Sequence, residues 1–171
     1  MDDDSEHNLN LVFRGKWGAA HAKARILLRY PVTYVVYTFT DTPICISEES
    51  CAKTMRGLQT KHMDGGEDDI NYNFVIGGDG SVFIGRGWEV NPALNPKFEE
   101  YWEDCIEIAH IGPSGLPPDT IHEAAKKLFL RGVNRGYLKK DFRCIFDFDK
   151  SDEPDPKPKG VELKEREIIY E

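Results

Sequence analysis

Histidine and cysteine are the side chains in this sequence that could hold a catalytic metal. A zinc ion needs neutral imidazoles or thiolates as ligands, with one position left open for water if it is to cleave a bond. The histidines are spread along the chain as His7, His21, His62, His110 and His122. No two of them have the spacing of zinc ligands, so they predict no metal site. His62 ends the apolar stripe of a predicted helix, which favours a structural role for it.

The four cysteines allow three ways of forming two disulfides. Cys45 and Cys51 lie six residues apart, a spacing that suits a short loop tied to the first turn of a helix. If they pair, Cys105 and Cys144 are left for each other and the compartment is oxidising. The alternative is that Cys45 and Cys51 are two free thiols.

Charge and hydropathy exclude several classes of partner. The formal net charge of −8 argues against nucleic acid, because a phosphate backbone requires a basic protein face. It also disfavours an anionic membrane surface. No segment approaches the about 20 apolar residues of a membrane-spanning helix, and Met1-Asp2-Asp3-Asp4 is not the start of a signal peptide. The chain therefore has the composition of a mature or excised soluble domain.

Two strands joined by a tight turn are the centre of the predicted fold. Apolar residues recur with period two from Phe74 and again from Val82, so each strand has one apolar face. Gly78-Asp79-Gly80 between them supplies the positive φ angles of a hairpin turn. Gly85-Arg86-Gly87-Trp88 follows the second strand and places a large aromatic in a loop.

Other patterns predict the elements that surround this hairpin. In chain order they are a flexible tail over residues 1–13, a turn carrying Trp17, a buried strand over 33–40, a helix capped by Ser47 and reaching His62, a strand over 105–111, a helix capped by Asp119 and stopped at Gly136, an edge strand over 142–148 and a short last helix over 161–171. This alternation predicts an α/β fold, with a mixed central β-sheet flanked by three helices in a single domain over 14–171.

A long connection over residues 89–104 combines acidic and aromatic side chains. It contains Pro92 and Pro96 and ends in Phe98-Glu99-Glu100-Tyr101-Trp102-Glu103-Asp104. Long ordered loops are often functional, so this one is either a contact surface or a lid over a pocket. The alternative is a solvated insertion.

Five short motifs stand in a fixed order along the chain. They are Trp17-Gly18-Ala19, the Cys45/Cys51 pair before a helix, His62-Met63-Asp64, Tyr72-Asn73-Phe74 and Gly85-Arg86-Gly87-Trp88. In this order and spacing they resemble the peptidoglycan recognition protein (PGRP) family. The resemblance runs from Trp17 to the C-terminal segment, and it implies the fold of the phage lysozyme-like zinc amidases.

The resemblance also implies that this chain is not an enzyme and holds no zinc. Catalytic members of the family bind zinc through two histidines and a cysteine, with a tyrosine beside the metal. Here Thr38-Phe39-Thr40 stands in place of the first histidine segment, and the second aligns with Phe146-Asp147-Phe148. The cysteine segment falls in residues 154–160, which contain no cysteine. Of the family's catalytic residues only the tyrosine, Tyr72, is retained.

By the same resemblance, Tyr72, Gly87 and Trp88 belong to the remnant of a ligand groove, and Gly87-Trp88 indicates peptidoglycan stems of the diaminopimelic acid (DAP) type. The loop after His62-Met63-Asp64 lacks the tryptophan that the family has there. The longer stretch before Cys105 is expected to obstruct the groove and to repel an anionic stem peptide. The obstructing residues are Asn95, Pro96, Lys97, Phe98, Glu99, Glu100, Tyr101 and Trp102.

A groove of this kind implies a non-enzymatic co-receptor ectodomain of innate immunity. Such a protein takes part in sensing DAP-type peptidoglycan by pairing with a second PGRP that holds the muropeptide, on the extracellular face of the plasma membrane. The resemblance places the partner interface on the second long helix, at Asp119, His122, Glu123, Lys126 and Lys127. The alternatives are a direct peptidoglycan receptor that uses Tyr72 and Trp88, or an inhibitory decoy. A zinc amidase with relocated ligands is disfavoured, and no cofactor is expected.

Overall fold

A mixed sheet is the framework of the protein, as seen in a computed structural model that describes residues 8–147 and 161–163. Its strands are β1 (Leu11–Val12), β2 (Val32–Phe39), β3 (Phe74–Ile76), β4 (Val82–Ile84), β5 (Cys105–His110), β6 (Leu138–Phe146) and β7 (Val161–Leu163). Their spatial order is β1-β4-β3-β5-β2-β6-β7. The pairs β3/β4 and β6/β7 are antiparallel and the others are parallel. The predicted α/β class and the hairpin are confirmed.

The helices in the described ranges are α1 (Arg14–Trp17), α2 (Glu48–Asp64) and α3 (Asp119–Asn134), with a 3-10 segment over Pro96–Asp104. Ser47 caps α2 as predicted, because its hydroxyl accepts a hydrogen bond from the Ser50 amide at 3.1 Å. The predicted cap of α3 is wrong. Pro118 precedes that helix and Asp119 is its first residue, without a side-chain capping bond. Within residues 8–147 and 161–163, no helix combines the length and apolar character needed to cross a membrane.

Each face of the sheet packs against a different helix. Side chains alternate between the faces along a strand, so Phe74 and Val75 belong to different clusters. On the α2 face, the cluster includes the fully buried Trp17 and Met55. On the α3 face, it includes Leu128. These two faces are named below the α2 face and the α3 face, after the helix that covers each.

The Cys45–Cys51 disulfide is present, with the two Cα atoms 5.2 Å apart. It ties the loop after β2 to the first turn of α2, as the spacing predicted. The hairpin turn packs against this loop, since a Cβ on Gly78 would collide with the carbonyl of Cys45. In the turn, Gly80 adopts a φ of 86°, which a residue with a Cβ rarely adopts. The disulfide therefore holds the hairpin as well as the helix.

Replacing Cys45 by serine is expected to lower the free energy of unfolding by about 2 to 4 kcal/mol. The bridge restricts the unfolded chain, and its loss also frees the loop that supports Gly78. Urea unfolding measures the change. The control is reductant, which should destabilise the natural chain to the same extent and leave the variant unaffected. Equal stability of the two proteins without reductant would contradict the prediction.

The predicted Cys105–Cys144 disulfide is wrong, and both thiols are free and buried. Cys105 pairs with Tyr34 on one side of β2, while Cys144 pairs with Val35 on its other side. Strands lie about 4.8 Å apart, so two residues separated by a strand exceed the Cα distance of about 7 Å that a disulfide tolerates. They also point to opposite faces, since Cys144 lies in the α3-face cluster and Cys105 does not.

Three predictions at the chain ends also need correction. The tail predicted over 1–13 is part of the sheet at Leu11–Val12, because this strand pairs with β4. The strand predicted over 142–148 corresponds to β6, which is not an edge strand because it lies between β2 and β7. The last helix was predicted from Val161, where the chain forms β7. Residues 1–7 of the tail, Phe148, the loop over 149–160 and residues 164–171 lie outside the described residues.

Candidate functional site

A buried carboxylate positions the loop that leads to Tyr72. Asp69 is 4% exposed and accepts hydrogen bonds from Arg14 at 2.8 and 3.2 Å. It also accepts from the Gln59 amide at 2.9 Å and from the Ile70 backbone at 2.7 Å. This network joins α1, α2 and the loop, so the backbone before Tyr72 is fixed from three directions.

His62 and Tyr72 lie side by side on the α2 face, with ring centroids 5.6 Å apart. The Nδ1 atom of His62 accepts a hydrogen bond from the Asn71 amide at 3.0 Å, which gives it the predicted structural role. Burial, with the nearby charges of Lys61 and Arg86, lowers the pKa of His62 to about 4. The imidazole is therefore neutral at physiological pH. Burial raises the pKa of Tyr72, and the carboxyl of Glu107 raises it further.

The 3-10 segment Pro96–Asp104 packs across the same face, over β2, β5 and β6. Phe98 is buried against Val36, Cys105 and Ile145. The ring of Tyr101 contacts that of Tyr34 edge-on, with centroids 4.5 Å apart. Aromatic burial of this kind makes the segment part of the domain and not a solvated insertion.

Hydrogen bonds fix both ends of this segment. Asn95 caps its start by accepting from the Lys97 amide at 3.1 Å. Near its end, the Trp102 indole donates to the carbonyl of Pro92 at 2.8 Å, and Asn91 donates to the carbonyl of Trp102 at 2.9 Å. The predicted obstructing residues are thus an ordered cover of the sheet, with Glu99 and Glu100 exposed on its outer side.

A lysine from this cover reaches the end of β6. The ammonium of Lys97 lies 2.7 Å from the carboxylate of Asp147, and both side chains are largely buried. Asp147 follows the residue that pairs with Tyr37, so it lies beside Thr38 on the same face. Thr38 and Asp147 belong to the two segments that align with the family's zinc-binding histidines, and they are therefore neighbours in the structure.

Glu107 lies on β5 beneath the cover and is 6% exposed. Burial raises its pKa to about 8, and the nearby carboxylate of Asp147 acts in the same direction. A hydrogen bond from the Asn95 side chain and the charge of Arg86 oppose this rise. Both backbone groups of Glu107 bond to Asn73. The Glu107 amide donates to the side-chain oxygen of Asn73 at 2.7 Å, and the Glu107 carbonyl accepts from the Asn73 amide at 2.8 Å. A buried, mostly protonated carboxyl therefore lies between Tyr72 and Asp147.

Trp88 does not share a site with Tyr72. Its ring packs on the α3 face against Phe74, with centroids 4.6 Å apart, and stacks on Tyr137 at 5.4 Å. It approaches α3 so closely that a Cβ on Gly132 would lie 2.5 Å from it. Gly87 bonds Asn73 through its backbone: its carbonyl accepts from the Asn73 side chain at 2.8 Å, and its amide donates to the Asn73 carbonyl at 3.0 Å. The groove remnant predicted from Tyr72, Gly87 and Trp88 is thus divided between the two faces.

Comparison with known proteins identifies the family. No protein-family model matches the chain. Peptidoglycan recognition protein 1 of Bos taurus is 37% identical over 137 residues, which cover 75% of this chain and 68% of the bovine protein. The chain belongs to the peptidoglycan recognition protein family.

Two solved PGRP structures resemble the fold closely. The ectodomain of the Drosophila transmembrane receptor PGRP-LCa matches with a TM-score of 0.75 and 29% identity, over 79% of this chain and 83% of that one. A structure of tracheal cytotoxin bound to the ectodomain complex of PGRP-LCa and PGRP-LCx matches with a TM-score of 0.77 and 30% identity. This second match covers 85% of this chain and 90% of that one. The expected amidase-like PGRP fold is confirmed.

The residues at the aligned zinc positions do not fit a zinc ion. Thr38 offers a neutral hydroxyl, and the carboxylate of Asp147 is already bound by the ammonium of Lys97. Zinc is held in proteins by imidazole, thiolate and free carboxylate groups. Over the described residues, no group of three or more such side chains is placed to hold a metal. The aligned cysteine segment, residues 154–160, lies outside the described ranges.

The residues predicted for the partner interface lie along the side of α3 that faces away from the sheet. Asp119 and Glu123 are exposed, while His122, Lys126 and Lys127 are half-buried. Lys126 and Glu123 form an ion pair at 3.5 Å. The five side chains form a continuous, mixed-charge strip on one helix, and its role as an interface remains a prediction.

Sequence reasoning missed the two buried carboxyls, Asp69 and Glu107. A signal for Glu107 was present, because it stands between Ile106 and Ile108 in a strand that is otherwise apolar. An acid at that position points to the face opposite the two isoleucines and requires polar neighbours. Asp69 carried no such signal within its polar loop.

Proposed function

We propose that this chain is a non-enzymatic co-receptor ectodomain of innate immunity, which pairs with a second PGRP that holds a DAP-type muropeptide. The observation that carries the proposal is the Lys97–Asp147 ion pair under the 3-10 segment. With it, the protein's own lysine neutralises the carboxylate that aligns with a zinc ligand. The amidase reaction would need water activated by a metal at this point. The space instead holds a closed ion pair.

The cover also argues against direct capture of a muropeptide on the α2 face. Phe98 and Tyr101 pack onto the sheet there, and Glu99 and Glu100 face the solvent beside them. A stem peptide that bears carboxylates would meet like charge on an occupied surface. The separation of Trp88 from Tyr72 removes the aromatic wall that a direct receptor was expected to use.

Two further observations support the pairing role and the location. PGRP-LCa, which this chain resembles, forms an ectodomain complex with PGRP-LCx that holds tracheal cytotoxin, a monomeric DAP-type peptidoglycan. The disulfide of this chain suits the extracellular face of a membrane, where disulfides persist. The α3 strip Asp119–Lys127 is the proposed contact surface.

Sedimentation velocity tests the proposal. The chain is mixed with tracheal cytotoxin, with the PGRP-LCx ectodomain, and with both together. We expect a gain in mass only in the three-component mixture. The Lys127→Glu variant should weaken this complex about tenfold, because it reverses a charge within the α3 strip. The Lys53→Glu variant makes the same change on α2 and should leave the complex intact.

Each other outcome contradicts the proposal in a different way. Binding of tracheal cytotoxin to the isolated chain would make the protein a direct receptor. A complex with PGRP-LCx that forms without the muropeptide would indicate an inhibitory decoy. About one zinc per chain in the purified protein, with cleavage of the muropeptide, would make it an amidase.

A further inference from the structure

A cleft on the α3 face plays no part in the function proposed above. It lies between β1, the loop after β4 and the C-terminal end of α3, and its volume is about 440 Å³. Cavities that hold small organic ligands in proteins are of this size. Because it opens on the face away from Tyr72 and the 3-10 segment, it is separate from the site of the aligned zinc ligands.

One wall of the cleft is a rigid aromatic surface. The rings of Trp88 and Tyr137 are stacked with an interplanar angle of 2°, and Phe74 supports Trp88 from below. Gly132 lets the indole lie directly against α3. Such a wall is formed before any ligand arrives, so little conformational entropy is lost when an apolar group packs on it.

The rim of the cleft is basic, although the whole chain carries a net charge of −8. Four arginines line it against a single glutamate, Glu89. Of the four, Arg25 and Arg135 are exposed, and no side-chain hydrogen bond or ion pair joins either guanidinium to another residue in the described part of the chain. A smaller cavity of about 260 Å³ adjoins the cleft, shares Arg25 and Arg86 with it, and adds His21.

We propose that this cleft binds a small anionic amphiphile, with its acidic headgroup between Arg25 and Arg135 and its apolar tail along the Trp88–Tyr137 wall. A guanidinium donates two parallel hydrogen bonds to a carboxylate or phosphate, which makes arginine pairs selective for such headgroups. Phe13 lies at the mouth of the cleft and is 63% exposed, so it extends the apolar surface that the tail of the ligand would contact. The proposal is independent of muropeptide sensing, since it concerns the other face of the sheet.

Isothermal titration calorimetry of the whole chain tests this site. The probes are dodecyl phosphate, inorganic phosphate and dodecyl maltoside, with each detergent kept below its micelle-forming concentration. Dodecyl phosphate should bind at one site, at least about tenfold more tightly than either other probe, because it alone has both the charge and the tail. Equal binding of the maltoside would overturn the role of the arginines. Equal binding of inorganic phosphate would overturn the role of the aromatic wall.

Matched variants locate the ligand. Arg25→Gln and Arg135→Gln remove exposed charges without disturbing the core, and each should weaken binding of dodecyl phosphate about tenfold. Phe13→Ala should weaken the same binding while leaving that of inorganic phosphate unchanged. The control Lys53→Gln removes a positive charge from α2 and should have no effect. If dodecyl phosphate fails to bind, or if the two arginine variants bind it as the natural chain does, the proposal is wrong.

Discussion

Replacing Asp69 by alanine is expected to lower the free energy of unfolding by about 3 to 5 kcal/mol. The carboxylate is almost completely buried and accepts four hydrogen bonds, two of them from Arg14. Without it, the Arg14 guanidinium loses its counter-charge, and Gln59 and the Ile70 amide lose an acceptor. An unsatisfied buried donor costs about 1 to 3 kcal/mol, and more when it is charged. Urea unfolding at neutral pH measures the loss.

The matched control for this variant is Glu67→Ala. Glu67 belongs to the same loop and pairs with Arg86 at 3.3 Å, but its side chain is 42% exposed. Arg86 is 8% exposed, but without Glu67 it keeps its hydrogen bonds to the carbonyls of Ile70 and Asn91. An ion pair with one exposed member contributes about 0 to 1 kcal/mol, so this variant should lose much less stability than Asp69→Ala. If the two variants were equally stable, burial would not be what makes Asp69 important. We also expect amide hydrogen exchange at Ile70 and Asn71 to accelerate in Asp69→Ala and not in Glu67→Ala, because only the first substitution loosens the loop before Tyr72.

The hairpin and α2 illustrate why part of this fold was predictable. Their signals are local: period-two apolar residues from Phe74, a glycine with positive φ at Gly80, and a serine that bonds the amide of Ser50. The errors concern pairing over long distances. Whether Cys105 can meet Cys144 depends on β2 lying between their strands, and a sequence pattern does not specify strand order.

The same distinction separates the predictable from the unpredictable part of the site. Alignment with the family found Thr38 and Asp147, because Thr38 lies near the end of a recognisable strand and Asp147 directly follows one. It did not anticipate that Lys97 would form an ion pair with Asp147, since this contact joins residues 50 positions apart. The direction of the Trp88 ring could not be predicted for a similar reason. Its position in a loop leaves the direction of the ring open until Gly132 and Tyr137 are placed.

Glu107, which is buried under the 3-10 segment on the α2 face, makes the stability of the protein depend on pH. In the unfolded chain its carboxyl titrates near 4.5, and in the folded protein burial raises its pKa to about 8. The folded state therefore holds one more proton than the unfolded state between these two values. Stability contributed by this group is complete below pH 4.5 and is lost as the pH rises through 8. The loss amounts to at most about 1.4 kcal/mol for each pH unit of that interval.

Replacing Glu107 by glutamine should remove this dependence, because the amide has the shape of the protonated acid and does not titrate. At pH 9 we expect the variant to be more stable than the natural chain, by at most about 5 kcal/mol, while at pH 4.5 the two should be nearly equal. Urea unfolding across this range measures the difference, in which all other titrating groups cancel.

The control Glu99→Gln changes an exposed carboxyl of the 3-10 segment, and its stability relative to the natural chain should not change with pH. A difference between Glu107→Gln and the natural chain that stays constant with pH would mean that Glu107 is ionised in the folded protein. In that case the ionised carboxylates of Glu107 and Asp147 would lie close together under the 3-10 segment, and Lys97 would pair with that of Asp147.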